Sequence, residues 1–129
     1  NAFNLTKYSR KNDVIKAISQ LKHGEGVYTD TSVGIKHMDE VQMSNNLVRT
    51  GMVKVGLIIT DGKSQDFGKT KMVADAAMDH KILMFAVGVG NSVNDRDLLN
   101  IAGHPGRVFK VKSYNDLTLI TKSLACMSK

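Results

Sequence analysis

Val53-Lys54-Val55-Gly56-Leu57-Ile58-Ile59-Thr60-Asp61-Gly62 is an apolar run that ends on a carboxylate and a glycine. Its Val, Leu and Ile residues do not alternate strictly with polar ones, so a strand built from them has no face suited to water. Such strands lie inside parallel sheets covered on both sides. Functional groups in these sheets gather at the carboxyl ends of the strands, which places Thr60 and Asp61 at the working edge. A carboxylate there can act as a general base, a hydrogen-bond anchor or a ligand for a hard divalent cation.

The rest of the chain supplies the partners such a strand needs. Ile82 to Val89 is a second continuous apolar run closed by Gly88-Val89-Gly90, and Arg107 to Val111 reads as a third strand. Between the first two strands, Val73, Ala74, Ala76 and Ala77 mark a helix that follows a loop from Gly62 to Gly68. Between the second and third, Leu98, Leu99 and Ile101 mark another, capped by Asn94 or Asp95 and followed by Gly103. Ser113 and Asp116 form a capping-box pattern that opens a last helix through Leu117, Ile120 and Leu124.

Upstream, Phe3, Leu5 and Lys7 alternate with polar residues and predict a short edge strand ending near Tyr8. Asn12 or Asp13 then caps a helix carrying Val14, Ile15, Ile18 and Leu21, stopped by Gly24. A weaker helical pattern runs through Val33, Met38, Val41 and Val48. Alternation of strands with crossover helices predicts an α/β fold: a doubly wound, mostly parallel sheet with helices on both faces.

At 129 residues and 14.1 kDa the chain holds one domain at most. Its net charge of +6 comes from scattered lysines and arginines, and 5% aromatic content with no Trp argues against a base-stacking surface and so against nucleic acid. The basic surface is open to acidic glycans instead. No stretch approaches the roughly 20 apolar residues that span a bilayer, so membrane insertion is not expected. The sequence begins at Asn1 without an initiator Met or signal peptide, the expectation for a processed piece or a fragment. Cys126 has no partner within the chain, and Asn4-Leu5-Thr6 is a candidate glycan acceptor.

Two further segments carry chemistry. In the loop from Gly26 to Ile35, the side chains of Tyr28, Thr29, Asp30, Thr31 and Ser32 can cap the next helix or lend oxygens to a hard cation. Gly88-Val89-Gly90 starts like a dinucleotide fingerprint, but Asn94 stands where the last small residue belongs and the unit lies late in the chain. His23, His37, His80 and His104 are dispersed without metal-ligand spacing, and no nucleophile elbow is present. None of these features argues for an enzyme.

Taken together, the segments resemble a von Willebrand factor type A domain. The matching stretches are Phe3 to Tyr8, Gly26 to Ile35, Leu57 to Asp66, Phe85 to Gly90, Leu98 to Ala102 and Arg107 to Val111, in the family's order and spacing from Phe3 to Leu124. The style is nearest the extracellular-matrix members: matrilins, cochlin-like proteins, microfibrillar collagens such as collagen VI, and the shell or byssus matrix proteins of invertebrates. The resemblance implies a divalent cation, usually Mg²⁺, held by three loops at the carboxyl edge of the sheet. Thr29 matches the second loop's threonine, with Thr31 as the fallback, and Asp61 matches the third loop's aspartate. Ligand binding is then metal-bridged, with specificity from the loops Lys63 to Gly68 and Asn91 to Asp95.

The family's first loop, Asp-x-Ser-x-Ser, has no counterpart here, and the sequence starts where the family's third strand belongs. Residues 1–129 are therefore expected to be a single partial domain lacking the first strands, which leaves the 53–60 strand without a neighbour, exposes apolar surface and makes the isolated piece fold poorly. A remnant site of two oxygens is expected to hold Mg²⁺ weakly or not at all, because that ion gives up its waters reluctantly. Many secreted members pair a cysteine after the last helix with one before the first strand, which implies the same for Cys126. The expectation is a secreted, non-enzymatic adhesion module that binds collagen or another matrix protein. The alternatives are an intracellular scaffold domain of the same fold and, behind it, an enzyme on a Rossmann-like sheet.

Overall fold

The computed structural model describes residues 2–22, 24, 30–44 and 47–127. Three segments form strands: β1 (Lys54–Thr60), β2 (Ile82–Val89) and β3 (Val108–Val111). They make one parallel sheet in the order β1-β2-β3, with Thr60 beside Gly88 and Val89 beside Val111 at the carboxyl edge. All three strand readings hold to within a residue at each end.

Parallel strands need crossovers, and two helices provide them. Phe67–Asp79 joins β1 to β2, and Asp95–Ala102 joins β2 to β3. In chain order the helices are α1 (Lys11–Ser19), α2 (Thr31–His37), α3 (Phe67–Asp79), α4 (Asp95–Ala102) and α5 (Thr121–Met127). Right-handed crossovers lay successive helices on the same side of the sheet. On that side Ile82, Met84 and Ala86 of β2 pack with Ala74 and Ala77 of α3, Leu98, Ile101 and Ala102 of α4, and Ile35 of α2. The other side has a smaller core, in which Val87, Val89 and Val111 meet Phe109, Leu117, Ile120 and Leu124. Helical segments thus lie on both faces, as a doubly wound fold requires.

Glycine decides how closely α4 seats on the sheet. A Cβ at Gly88 would stand 2.7 Å from Leu98 Cδ1 and 3.0 Å from Val93 Cγ2, so only a residue without a side chain lets the start of α4 press onto the end of β2. Asn94 caps α4 by accepting from the Arg96 and Asp97 N–H groups, and Gly103 closes it in the left-handed conformation at φ 70°.

Several expectations give way to the structure. Phe3 to Tyr8 forms a turn, not a strand: Asn4 Oδ1 accepts from the Thr6 N–H and hydroxyl, and Phe3 meets Tyr8 edge to face at 5.3 Å. A strand needs a neighbour for its backbone groups, and none of the three strands pairs with this segment, so a local turn satisfies them instead. Helix α1 starts after Arg10 rather than at Asn12 or Asp13, and it ends at Ser19 well short of Gly24. It buries no residue, so no packing extends it, and the Leu21 N–H closes it by donating to the Ile18 carbonyl at 3.1 Å. The weaker helical pattern ends in a π-helical segment, Met38–Gln42, and does not reach Val48. Helix α3 begins at Phe67, inside the stretch read as loop, because Asp66 caps it by accepting from the Lys69 N–H at 2.9 Å. The Ser113–Asp116 capping box is present, but it opens a 3₁₀ segment, Tyr114–Leu119, that precedes α5.

Nor is the 53–60 strand without a neighbour. β1 pairs with β2 along its whole length. Among the described residues no strand pairs with its other edge, and on the second face Leu57 and Ile59 are 43% and 45% exposed.

Candidate functional site

The site is built where the strands end. Thr60, the last residue of β1, is buried, and its hydroxyl accepts from the Gly62 N–H at 3.3 Å. That bond folds the chain back immediately after the strand and turns Asp61 outward, where it is exposed. The neighbouring ends are tied in turn, because Gly90, at φ 80°, donates its N–H to the Val111 carbonyl at 2.9 Å. Chain leaving β3 then enters the capping box, and Tyr114 at its head lies close enough to feel the Asp61 carboxylate. Partial loss of solvent, followed by the pull of the Asp61 carboxylate, pushes the Tyr114 phenol above its ordinary value.

The second candidate loop lies before α2. Asp30 is its N-cap: the carboxylate accepts from the Ser32 hydroxyl at 2.7 Å and from the Val33 N–H at 3.2 Å. The Ser32 bond comes first among the causes that hold the Asp30 carboxyl below its usual range, followed by Val33, with Lys69 adding a weaker attraction. For Asp30, then, capping is the role the structure displays. Thr31 is the first residue of α2 and half-buried, whereas Thr29 lies outside the described residues. The structure brings Asp61 together with Tyr114 and leaves the match at Thr29 undescribed.

The remaining candidates lie elsewhere. Asn4 is exposed in its turn, and Cys126 is an exposed free thiol on α5. A groove of about 620 Å³ lined by Leu5, Tyr8, Met43, Val48, Val53 and Val55 sits at the start of β1, the end of the strand opposite Asp61. Among the described residues, no helix is long and apolar enough to cross a membrane.

A parallel sheet crossed by α3 and α4, with an exposed aspartate turned out at the end of β1, now stands beside known proteins. The family model of the von Willebrand factor type A domain matches residues 1–123. The chain belongs to that family. Among curated relatives of this A domain, the transmembrane cell adhesion receptor mua-3 of Caenorhabditis elegans is 32% identical over 126 residues, 95% of the chain and 3% of the relative. Matrilin-1 of Gallus gallus is 38% identical over 107 residues, 80% of the chain and 20% of the relative. Among solved structures, proximal thread matrix protein 1 of the mussel byssus, with a zinc-occupied MIDAS motif, superposes with a TM-score of 0.90 at 27% identity. That match covers 97% of the chain and 33% of the byssus protein. The chain thus spans a third or less of each of these proteins.

What the A domain offers a cation can be judged from its own donors. Asp61 supplies an exposed carboxylate at the strand end, and a threonine hydroxyl would be the next oxygen; both are hard donors suited to a divalent ion that keeps several waters. Asp30 is engaged as a cap through Oδ1, the oxygen that accepts from both Ser32 and Val33. Among the described residues no group of three or more His, Cys, Asp or Glu could hold a metal ion. The donor set therefore fits a hard cation in kind, through few protein contacts.

Sequence reasoning missed two residues at this edge. Tyr114 could have been found from topology, since it follows the third strand and so emerges at the same edge as Asp61. Asp97 carries no such signal: its burial on α4 depends on how closely that helix seats on Gly88.

Proposed function

We propose that this A domain is a non-enzymatic adhesion module of the extracellular matrix that binds a matrix protein such as collagen through an acidic contact. The contact is bridged by a divalent cation, Mg²⁺ or a related ion, on Asp61 and a threonine hydroxyl, Thr29 or Thr31. One observation carries this reading: Asp61 is held outward at the carboxyl end of β1, with its oxygens at the surface. Support comes from the adhesion receptor and the byssus matrix protein among the similar proteins, the latter with metal at its own motif. On this reading the 129 residues are part of one secreted domain. Asn4 is available to a glycan, and Cys126 to a disulfide with a cysteine elsewhere.

The cation supplies a positive centre that an acidic side chain of the partner can complete. The residues of this chain orient it: Thr60 fixes the turn, Asp61 presents the carboxylate, and the scattered basic residues favour approach of an acidic partner. The test is binding of the chain to immobilised fibrillar collagen with Mg²⁺, Mn²⁺, Zn²⁺ or chelator, alongside Asp61→Ala. Binding that needs the metal and is lost in Asp61→Ala is expected. Binding indifferent to both chelator and substitution, or no binding in any metal, overturns the reading.

A further inference from the structure

Helix α4 carries a buried carboxylate that the surface site does not use. Asp97, in the first turn of α4, is 1% exposed, and its Oδ2 accepts from the Ser64 N–H at 2.9 Å, across 33 residues of sequence. Ser64 itself is buried. The other Asp97 oxygen and the Ser64 hydroxyl have no hydrogen-bond partner among the described residues. Burying a carboxylate is costly, and a single backbone bond does not recover that cost, so a well-packed apolar residue would serve stability as well or better. The helix N-terminus eases the charge without removing the cost. What Asp97 contributes is position.

The geometry shows what it positions. The loop between β1 and α3 is held at its start by Thr60, whose hydroxyl accepts from the Gly62 N–H, and at its end by Asp66, which caps α3. Asp97 is the tie between those two, gripping the loop at Ser64, three residues beyond Asp61. Its own anchorage is firm on both counts that matter: Asn94 accepts from the Asp97 N–H at 3.2 Å, and the next residue, Leu98, is seated against Gly88. Residues from β2 and α4 thus fix a point on the loop that follows β1.

We propose that Asp97 is a positioning residue that clamps the Asp61 loop to α4 and so holds the Asp61 carboxylate in its binding geometry. This rests on the assignment of Asp61 to the binding site. Residues that orient a metal-binding group from behind typically alter affinity without touching the ion.

The test compares the whole chain with Asp97→Ala, Asp97→Asn and Asp61→Ala. Three readouts are taken: calorimetric affinity for Mn²⁺ alone, hydrogen exchange of the Ser64 amide, and thermal melting in chelator. The Ser64 amide reports on the clamp because it is the donor to Asp97. Asp97→Ala is expected to weaken Mn²⁺ by about tenfold or more and to speed exchange of the Ser64 amide. Asp97→Asn, which keeps an acceptor for the Ser64 N–H, is expected to restore both. A folded Asp97→Ala protein that melts earlier but binds Mn²⁺ unchanged overturns the proposal, since that is the behaviour of a merely structural residue. If Asp97→Ala does not fold, Asp97→Glu displaces the acceptor by one methylene, and an unmoved Mn²⁺ affinity in that variant overturns it equally. Mn²⁺ binding that is absent, or unaffected by Asp61→Ala, sinks the metal reading of the surface site, while exchange of the Ser64 amide still decides whether Asp97 holds the loop.

Discussion

Tyr114 and Asp61 are the pair through which the chemistry of this edge can be read in solution. The phenol is 55% exposed, yet partial desolvation and the adjacent carboxylate both favour its protonated form. Its folded-state value lies above its unfolded one, so the stability it contributes is fully present below about pH 10 and is lost as pH rises through the folded value. Removing the charge in Asp61→Asn is expected to bring the Tyr114 titration down and to flatten the alkaline end of the stability profile. Difference absorbance and melting against pH check this, and an unchanged titration would mean that the two side chains do not meet. Asp30 works in the opposite sense: its depressed value gives stability present above the usual carboxylate range and lost as pH falls through the folded value. The two groups leave neutral pH as the region where both contributions are complete.

Among the elements, the contact between β2 and α4 controls the site. Gly88 permits it, and a methyl group there would meet Leu98 and Val93, both branched side chains with little room to turn. Gly56 is equally tight on paper, but the atoms a methyl would meet are the thioether ends of Met38 and Met84, which can swing aside. Gly88→Ala is therefore expected to cost about 1–3 kcal/mol of stability, and Gly56→Ala less, as denaturant midpoints at a common slope would show. Gly88→Ala should also disturb Tyr114, because lifting the start of α4 moves Asp97. Helix α1 contrasts with these elements. Its apolar residues Ile15 and Ile18 are about half exposed and it buries none, so its sequence pattern names a helix without naming what the helix packs on.

Over the whole molecule, cover is uneven. One face of the sheet is sealed by α2, α3 and α4, while the second face is covered over β2 and β3 and leaves Leu57 and Ile59 of β1 partly open. Stability should follow that division. Ile101, fully buried on the sealed face, is expected to cost about 2–5 kcal/mol when cut to Ala. Leu57→Thr, on the open stretch, should fall within about 0.5 kcal/mol of the parent. Chemical denaturation of the isolated chain checks both, and a large loss at Leu57 would show that its face is covered in solution.

Three strands, their parallel direction and the edge at which Asp61 emerges were legible in the apolar runs of the chain. Continuous apolar runs and crossover helices leave a chain few other ways to hide its backbone and side chains, and the turn chemistry of Asn94, Gly103 and Ser113 acts over a few residues. Where the signal was local but the outcome was not, the reading failed. Alternation at Phe3 to Tyr8 names a strand only if a neighbour offers its hydrogen bonds, and the stop at Gly24 mattered only if the preceding turn had something to pack against. Thr29 was legible as a motif match and lies outside the described residues. Folding alone brought Tyr114 within the influence of Asp61 and Asp97 to Ser64. Both contacts join residues far apart in sequence, and they exist because strand order and the close seating of α4 on Gly88 bring three loops to one edge.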